Sequence, residues 1–270
     1  MADMNIESAQ VGIIGVGNMG EALLAALLKA GADHAKINFA VRRVERSAEI
    51  SSKYGIAPAT IEAMAAHSDV LMIIVKPQDL EAIMAQVRPT LKSDTLVISF
   101  LAGKKIATLE SGLGNPAVVR VMPNTPTLLG VGMSIVSYGA HVRADQKRYV
   151  EQFLQAAGKS VEIDEPLQDA ATATSGSGPA YFFAFVEAMV SGAVSMGIDE
   201  ATATELVTQT IVGTAKMLDE TGKSATTLRE NVTSPHGVTY EALKVFSEAG
   251  LNDLVARAMK AATDRSREMA

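Results

Sequence analysis

The sequence predicts an α/β fold, a doubly wound parallel sheet followed by an all-helical domain. Three observations carry this. Short apolar runs alternate with helical patterns over roughly the first 160 residues, the signature of strand–helix–strand units. One junction, Val11-Gly-Ile-Ile-Gly15-Val-Gly17-Asn-Met-Gly20, joins such a run directly to the helical pattern Glu21–Ala30. Beyond Leu167 strand-like alternation disappears and proline becomes scarce.

Taken in order, Val11–Ile14, Ile37–Val41, Val70–Val75, Leu96–Ser99 and Val118–Val121 read as strands. Glu21–Ala30, Glu45–Tyr54, Ile61–Ala66 and Leu80–Leu91 read as the helices between them. Gly130–Ser137 is expected as an edge strand, Asp145–Ala157 as a helix and Lys159–Ile163 as a last short strand. After Asp164-Glu-Pro166 come helical segments at Ala170–Met196, Glu200–Thr221, Thr227–Val232, Val238–Ala249 and Asp253–Glu268. The first of these is expected to break at Ser175-Gly-Ser-Gly-Pro179. The second carries an N-cap signal at Asp199 and a C-cap signal at Gly222. The expected domains are therefore 1–164 and 165–270. Ala180–Val194 bears Tyr181, Phe182, Phe183, Phe185, Met189 and Val194 around most of its circumference. A helix apolar on all sides must be buried, and a small helical domain cannot enclose it alone, so subunit association is expected.

Composition narrows the function classes. The 270 residues carry a net charge of −6, which argues against nonspecific nucleic-acid binding. Cysteine is absent, so disulfides, thiolate metal sites and a cysteine nucleophile are excluded. The four histidines show no metal-ligand spacing, and no carboxylate pair suggests a dyad or metal cage. The polar, acidic start Met1-Ala-Asp-Met-Asn-Ile-Glu7 is no signal peptide, and no charge-free apolar run reaches spanning length. A cytoplasmic location is expected. Ser177 lacks the spacing and strand context of a nucleophile elbow.

The glycine run is the strongest candidate site. Gly15-x-Gly17-x-x-Gly20 between a strand and a helix fits a Rossmann dinucleotide fingerprint, with the pyrophosphate on the helix N-terminus. An acid normally ends the second strand to hold a ribose 2′-OH. Here Arg42-Arg43 stand there, and guanidinium forks suit a 2′-phosphate, so NADP is expected over NAD. Lys76-Pro77 ends another strand on the ligand-binding edge, a position that a plain proline turn explains equally well. Ser234-Pro-His-Gly-Val-Thr239 opens a late helix with free N–H groups able to cradle a carboxylate. Spacing alone favours ordinary capping there by Ser234 or Thr239.

Taken together, Ile13-Ile-Gly-Val-Gly-Asn-Met-Gly20, Val75-Lys-Pro-Gln78, Arg120-Val-Met-Pro-Asn-Thr-Pro126, Ser175-Gly-Ser-Gly-Pro-Ala-Tyr181, Met196-Gly-Ile198 and Val232-Thr-Ser-Pro-His-Gly-Val-Thr239 resemble the Δ1-pyrroline-5-carboxylate reductase family. The resemblance spans essentially the whole chain. It implies NADPH-dependent hydride transfer to the cyclic imine of 1-pyrroline-5-carboxylate, with NADH as an alternative donor. It also implies a helical domain that pairs two subunits, with larger rings formed from such dimers. Residue by residue, it places Gly15, Gly17, Asn18, Met19 and Gly20 at the pyrophosphate and Arg42 and Arg43 at the 2′ position. Val75, Lys76, Pro77, Ala102, Gly103 and Asn124 would lie beside the cofactor. Ser234, Gly237 and Val238 would take the substrate carboxylate, and the Thr239 hydroxyl the ring nitrogen. No metal is implied.

Three positions depart from the family pattern. His236 stands where relatives have glycine, and its Cβ leads us to expect a negative φ and a ring turned away from the carboxylate. Phe100-Leu101 are bulkier than the family's small residues, and Ile61 replaces an asparagine of some relatives. Two other readings stay open. One is an NADPH-dependent reductase of another imine or of a 3-hydroxy acid; the hydroxy-acid enzymes need a lysine in the first long helix of the second domain, and Ala180–Ser195 has none. A non-catalytic NADP-binding regulator is the other.

Overall fold

A computed structural model describes residues 3–269. They form two compact units, residues 3–177 with 261–269, and residues 178–260.

In the first unit the described strands form one eight-stranded sheet in the order β3-β2-β1-β4-β5-β6-β7-β8. The strands are β1 Val11–Ile14, β2 Ile37–Ala40, β3 Ala57–Pro58, β4 Val70–Ile73, β5 Leu96–Ser99, β6 Ala117–Met122, β7 Gly132–Tyr138 and β8 Gly158–Glu162. All neighbouring pairs run parallel except β6 and β7. The chain winds outward from β1 through β2 to β3, then returns to β4 on the other side of β1. The switch point therefore lies between β1 and β4, where ligands of such sheets bind.

Both faces of the central strands are buried, which is why β1, β4 and β5 read as unbroken apolar runs. Ile13, Val70 and Met72 join a core with Leu23, Leu27, Phe39 and Phe153. Their neighbours Ile14, Leu71 and Ile73 join a second core with Met64, Leu80, Val87 and Leu109. The helices that supply these residues are α1 Asn18–Lys29, α2 Val44–Tyr54, α3 Ile61–His67, α4 Leu80–Val87, α5 Ile106–Leu113 and α6 Ala144–Ala157.

The structure corrects the sequence reading at three elements. β7 is not an edge strand, because β8 pairs beyond it. β3, two residues long, closes the opposite edge and is too short to show alternation. α5 is a helix that the sequence pattern does not announce. Ser111-Gly112 interrupt its eight residues, yet Ile106, Leu109 and Leu113 bury one helical stripe.

The first unit continues into α7 Gln168–Ala171 and a π-helical turn, Thr172–Gly176. This widened turn supplies the break expected at Ser175–Pro179. The second unit holds α8 Gly178–Ser195, α9 Glu200–Glu220, α10 Ala225–Asn231 and α11 Val238–Glu248. Asp199 caps α9 by accepting from the Thr202 N–H at 3.0 Å. α12, Leu251–Glu268, is divided between the two units at residue 260. No described residue after β8 is in a strand. Phe182 and Phe183 on α8 are each 63% exposed in the single chain. Among the described residues, no helix is long and apolar enough to cross a membrane.

Candidate active site

β1 ends in the glycine turn. Gly15 adopts φ +97°, and a side chain there would strike the Ile74 carbonyl. A Cβ at Gly20 would strike the carbonyl of Gly15, so α1 crosses the strand end at backbone contact. At Gly17 a Cβ would meet nothing within 4 Å. Gly17 is the N-cap of α1 and supplies no side-chain hydrogen bond. The N–H groups of Asn18, Met19 and Gly20 therefore lack intrahelical acceptors at the positive end of the helix, beside the exposed Gly17. This is a cradle shaped for a phosphate group, and it fits a dinucleotide.

One acid, Glu21, sits in the first turn beside the cradle, where its charge would repel an anion. A polar network neutralises it. Lys53 Nζ donates to Glu21 at 2.6 Å and Tyr54 Oη at 2.9 Å, while Arg46 bonds its other oxygen. Arg46 Nε also donates to the Val16 carbonyl at 3.0 Å, and a further guanidinium nitrogen lies 2.7 Å from Glu49. The Lys53 bond, with help from Arg46 and Tyr54 and against partial burial, holds the Glu21 carboxyl down to about 2. The network ties the glycine turn to α2, the helix that follows Arg42 and Arg43.

Arg43 is the extended N-cap residue of α2 and is exposed. Arg42 is 81% exposed, and its guanidinium lies 2.7 Å from Asp79 in the 3-10 turn Pro77–Asp79. Lys76 is the extended, exposed residue before that turn, Pro77 opens it, and Val75 packs partly into the second core. Ala102 and Gly103 follow β5. Gly103 has φ +73°, and its Cβ position lies 3.0 Å from Met269 Cβ and from the Ser266 carbonyl oxygen. Phe100 and Leu101 send their bulk into the two cores, at 8% and 1% exposure. Ile61 opens α3 and packs against the second core.

The Asn124 carboxamide is fully engaged inside the protein. Its oxygen accepts from the Met133 N–H at 2.9 Å, and its nitrogen donates to the Ser175 carbonyl at 3.3 Å and hydroxyl at 3.4 Å. Asn124 thus fixes the start of the 3-10 turn Thr125–Leu129 against the π-helical turn.

In the second unit, Ser234–Gly237 forms a tight turn closed by a 3.0 Å bond from the Gly237 N–H to the Ser234 carbonyl. His236 takes φ +58°, which corrects the expected negative value. The reason is local: proline at the second turn position followed by positive φ at the third is the type II pattern. The ring of His236 stacks edge-on against Tyr240, with centroids 5.7 Å apart. The N-cap of α11 is Gly237, not Ser234 or Thr239. A side chain at Gly237 would collide with the Ser234 hydroxyl. The first N–H groups of α11, at Val238 and Thr239, are again left without intrahelical partners. Val238 is 92% exposed, so this helix start is open to solvent.

Sequence reasoning missed a buried charge cluster. The Arg120 side chain is 3% exposed, 3.3 Å from Asp169 and 3.6 Å from Glu165. Ser266 donates to Asp169 at 2.8 Å, the Ile106 N–H donates to Glu165 at 2.6 Å, and Gln168 donates to the Arg120 carbonyl at 3.3 Å. The available signal was an arginine inside the apolar strand Ala117–Met122. Nor did spacing reveal the pairs Glu21–Arg46 and Arg42–Asp79, whose members lie 25 and 37 residues apart.

Comparison with known proteins decides the family. Residues 165–269 match the family description "Pyrroline-5-carboxylate reductase dimerisation", and residues 10–103 match "NADP oxidoreductase coenzyme F420-dependent". A pyrroline-5-carboxylate reductase of Corynebacterium melassecola is 39% identical over 96% of this chain and 98% of its own length. The one from Pseudomonas aeruginosa is 39% identical over 98% of both chains. The chain belongs to the pyrroline-5-carboxylate reductase family. Such enzymes are NAD(P)H-dependent oxidoreductases acting on a C=N bond. Among solved pyrroline-5-carboxylate reductases, the Coxiella burnetii structure superposes with a TM-score of 0.91 at 32% identity, over 97% of this chain and 99% of that one. The Plasmodium falciparum enzyme, solved with NADP bound, gives 0.86 at 29% identity, over 98% and 99%.

Proposed function

We propose that this chain reduces the cyclic imine of 1-pyrroline-5-carboxylate to L-proline with NADPH. The observation that carries the reading is the open, uncapped start of α11, with a hydroxyl one residue inside it. Free N–H groups at Val238 and Thr239 suit a carboxylate, and the Thr239 hydroxyl suits the adjacent ring nitrogen. Ser234 adds a second hydroxyl, held beside Gly237 by the turn.

NADPH, when bound, supplies the hydride that goes to the imine carbon. The chain's own residues bind and orient. Gly15, Gly17, Asn18, Met19 and Gly20 hold the pyrophosphate, and Arg42 and Arg43 hold the 2′-phosphate. Val75, Lys76, Pro77, Ala102 and Gly103 line the cofactor segment, while Asn124 positions the loop beside it. Thr239 donates a hydrogen bond to the imine nitrogen, which makes the carbon a better hydride acceptor, and steadies the amine as it forms. Orientation supplies most of the acceleration, so no strong base is required. Residues 1–164 act as the cofactor domain and 165–270 as the substrate and dimerisation domain of a cytoplasmic homodimer, with no nucleic-acid or membrane partner.

NADPH oxidation with pyrroline-5-carboxylate, run beside the six-membered imine and a no-substrate control, tests this. Turnover confined to the five-membered ring is expected. Faster turnover of the six-membered imine would move the substrate assignment. Absence of turnover with both would leave a nucleotide-binding regulator.

A further inference from the structure

Arg42 follows β2 and Asp79 follows β4, and these strands flank β1 on either side. Their 2.7 Å ion pair therefore spans the carboxyl end of β1, across the switch point and beside the glycine cradle. The second guanidinium nitrogen reaches the other carboxylate oxygen at 3.5 Å, so Asp79 occupies the fork that a phosphate would take. The Asp79 carboxylate accepts no other hydrogen bond among the described residues, and its side chain is 28% exposed.

Resting on the reading that Arg42 receives the 2′-phosphate, we propose that Asp79 is a specificity-determining residue that latches Arg42 across the nucleotide crevice and competes with that phosphate. A nucleotide carrying the 2′-phosphate replaces one anion on the guanidinium with another. A nucleotide lacking it makes no claim on the guanidinium and leaves the pair intact, so the cost of parting it falls on the phosphorylated nucleotide alone. The carboxylate thus lowers affinity for the phosphorylated nucleotide directly, through competition and like-charge repulsion. The pair is exposed, so the effect is a tuning of affinity and not a block on binding.

Calorimetric binding of 2′,5′-ADP and 5′-AMP to the full-length protein at low salt isolates this edge from catalysis. Asp79→Asn should tighten 2′,5′-ADP about three- to tenfold, as expected for freeing one exposed charge-assisted contact. It should leave 5′-AMP within about twofold, on the same grounds. In an Arg42→Ala background the Asp79→Asn effect should shrink, because the competition for the guanidinium is gone and only like-charge repulsion is left. Equal shifts for both nucleotides, or an undiminished effect without Arg42, would overturn the latch. An Asp79→Asn variant that binds 2′,5′-ADP no better than wild type would overturn it as well. If wild type binds both probes equally, the failure lies earlier, in the assignment of Arg42 to the 2′-phosphate.

Discussion

At the scale of single residues, the two candidate binding points use one device, a helix start with glycine at its N-cap. Gly17 and Gly237 each leave backbone N–H groups free where serine or aspartate would have consumed one. Beside the second lies Thr239. Thr239→Ala should lower kcat about 10- to 200-fold, a loss of roughly 1.4–3 kcal/mol of transition-state stabilisation, with NADPH affinity unchanged. Steady-state kinetics read this directly, and a wild-type kcat would reduce the hydroxyl to a bystander. Replacing both Arg42 and Arg43 by alanine should erase the preference for NADPH over NADH, each phosphate contact contributing about 1.5–3 kcal/mol. Unaltered kcat/KM ratios for the two cofactors in that variant would exclude the arginines as the 2′ site. His236 offers a test of backbone geometry. At φ +58° asparagine is tolerated and a β-branched residue is not. Thermal unfolding should rank His236→Val below His236→Asn by about 1–2 kcal/mol. Equal stability would mean that the turn relaxes to negative φ.

At the scale of elements, what the sequence revealed and what it hid divide by the range of the interaction. Strands β1, β4 and β5 were legible because both their faces are buried, which makes them continuous apolar runs. The glycine turn was legible because its constraints are local. The topology beyond β6 was not, since the antiparallel pairing of β7 and the edge position of β8 depend on long-range registry. α5 was hidden by Ser111-Gly112, which interrupt its apolar pattern. The charged networks were hidden for the same physical reason as the registry: Glu21 meets its partners 25 to 33 residues away and Arg120 meets Asp169 at a separation of 49. The Glu21 network has a pH signature. Its carboxyl is depressed from 4.5 to about 2 in the folded protein, so its stabilising contribution is complete above the ordinary carboxylate range. That contribution is lost as pH falls through the window between those two values. Glu21→Gln should therefore lower stability at neutral pH and flatten the acid limb of the stability profile in that window. An acid limb identical to that of wild type would show that the network carries no net stabilisation.

For the whole molecule, the exposed aromatic flank of α8 and the match of residues 165–269 to a dimerisation family point the same way. The chain should scatter light as a dimer of its 28.3 kDa subunit or as a multiple of that dimer. Phe183→Asp should shift it toward monomer and abolish turnover, since a charge on a packed interface is strongly destabilising. A folded, active monomer at micromolar concentration would refute the assignment.

The last residues of α12 return to the unit that the chain began, with Ser266 on Asp169 and Met269 against Gly103. That return has a temporal consequence. Domains usually complete themselves in order of synthesis, amino-terminal first. Here the nucleotide unit cannot, because residues 261–269 leave the ribosome after all 83 residues of the intervening helical unit, 178–260, have already emerged. Until then Asp169 lacks its hydroxyl donor and the turn after β5 lies uncovered. All eight strands precede that return, so the sheet can form while the helical unit is made, and only its last contacts, at Asp169 and Gly103, wait for residues 261–269.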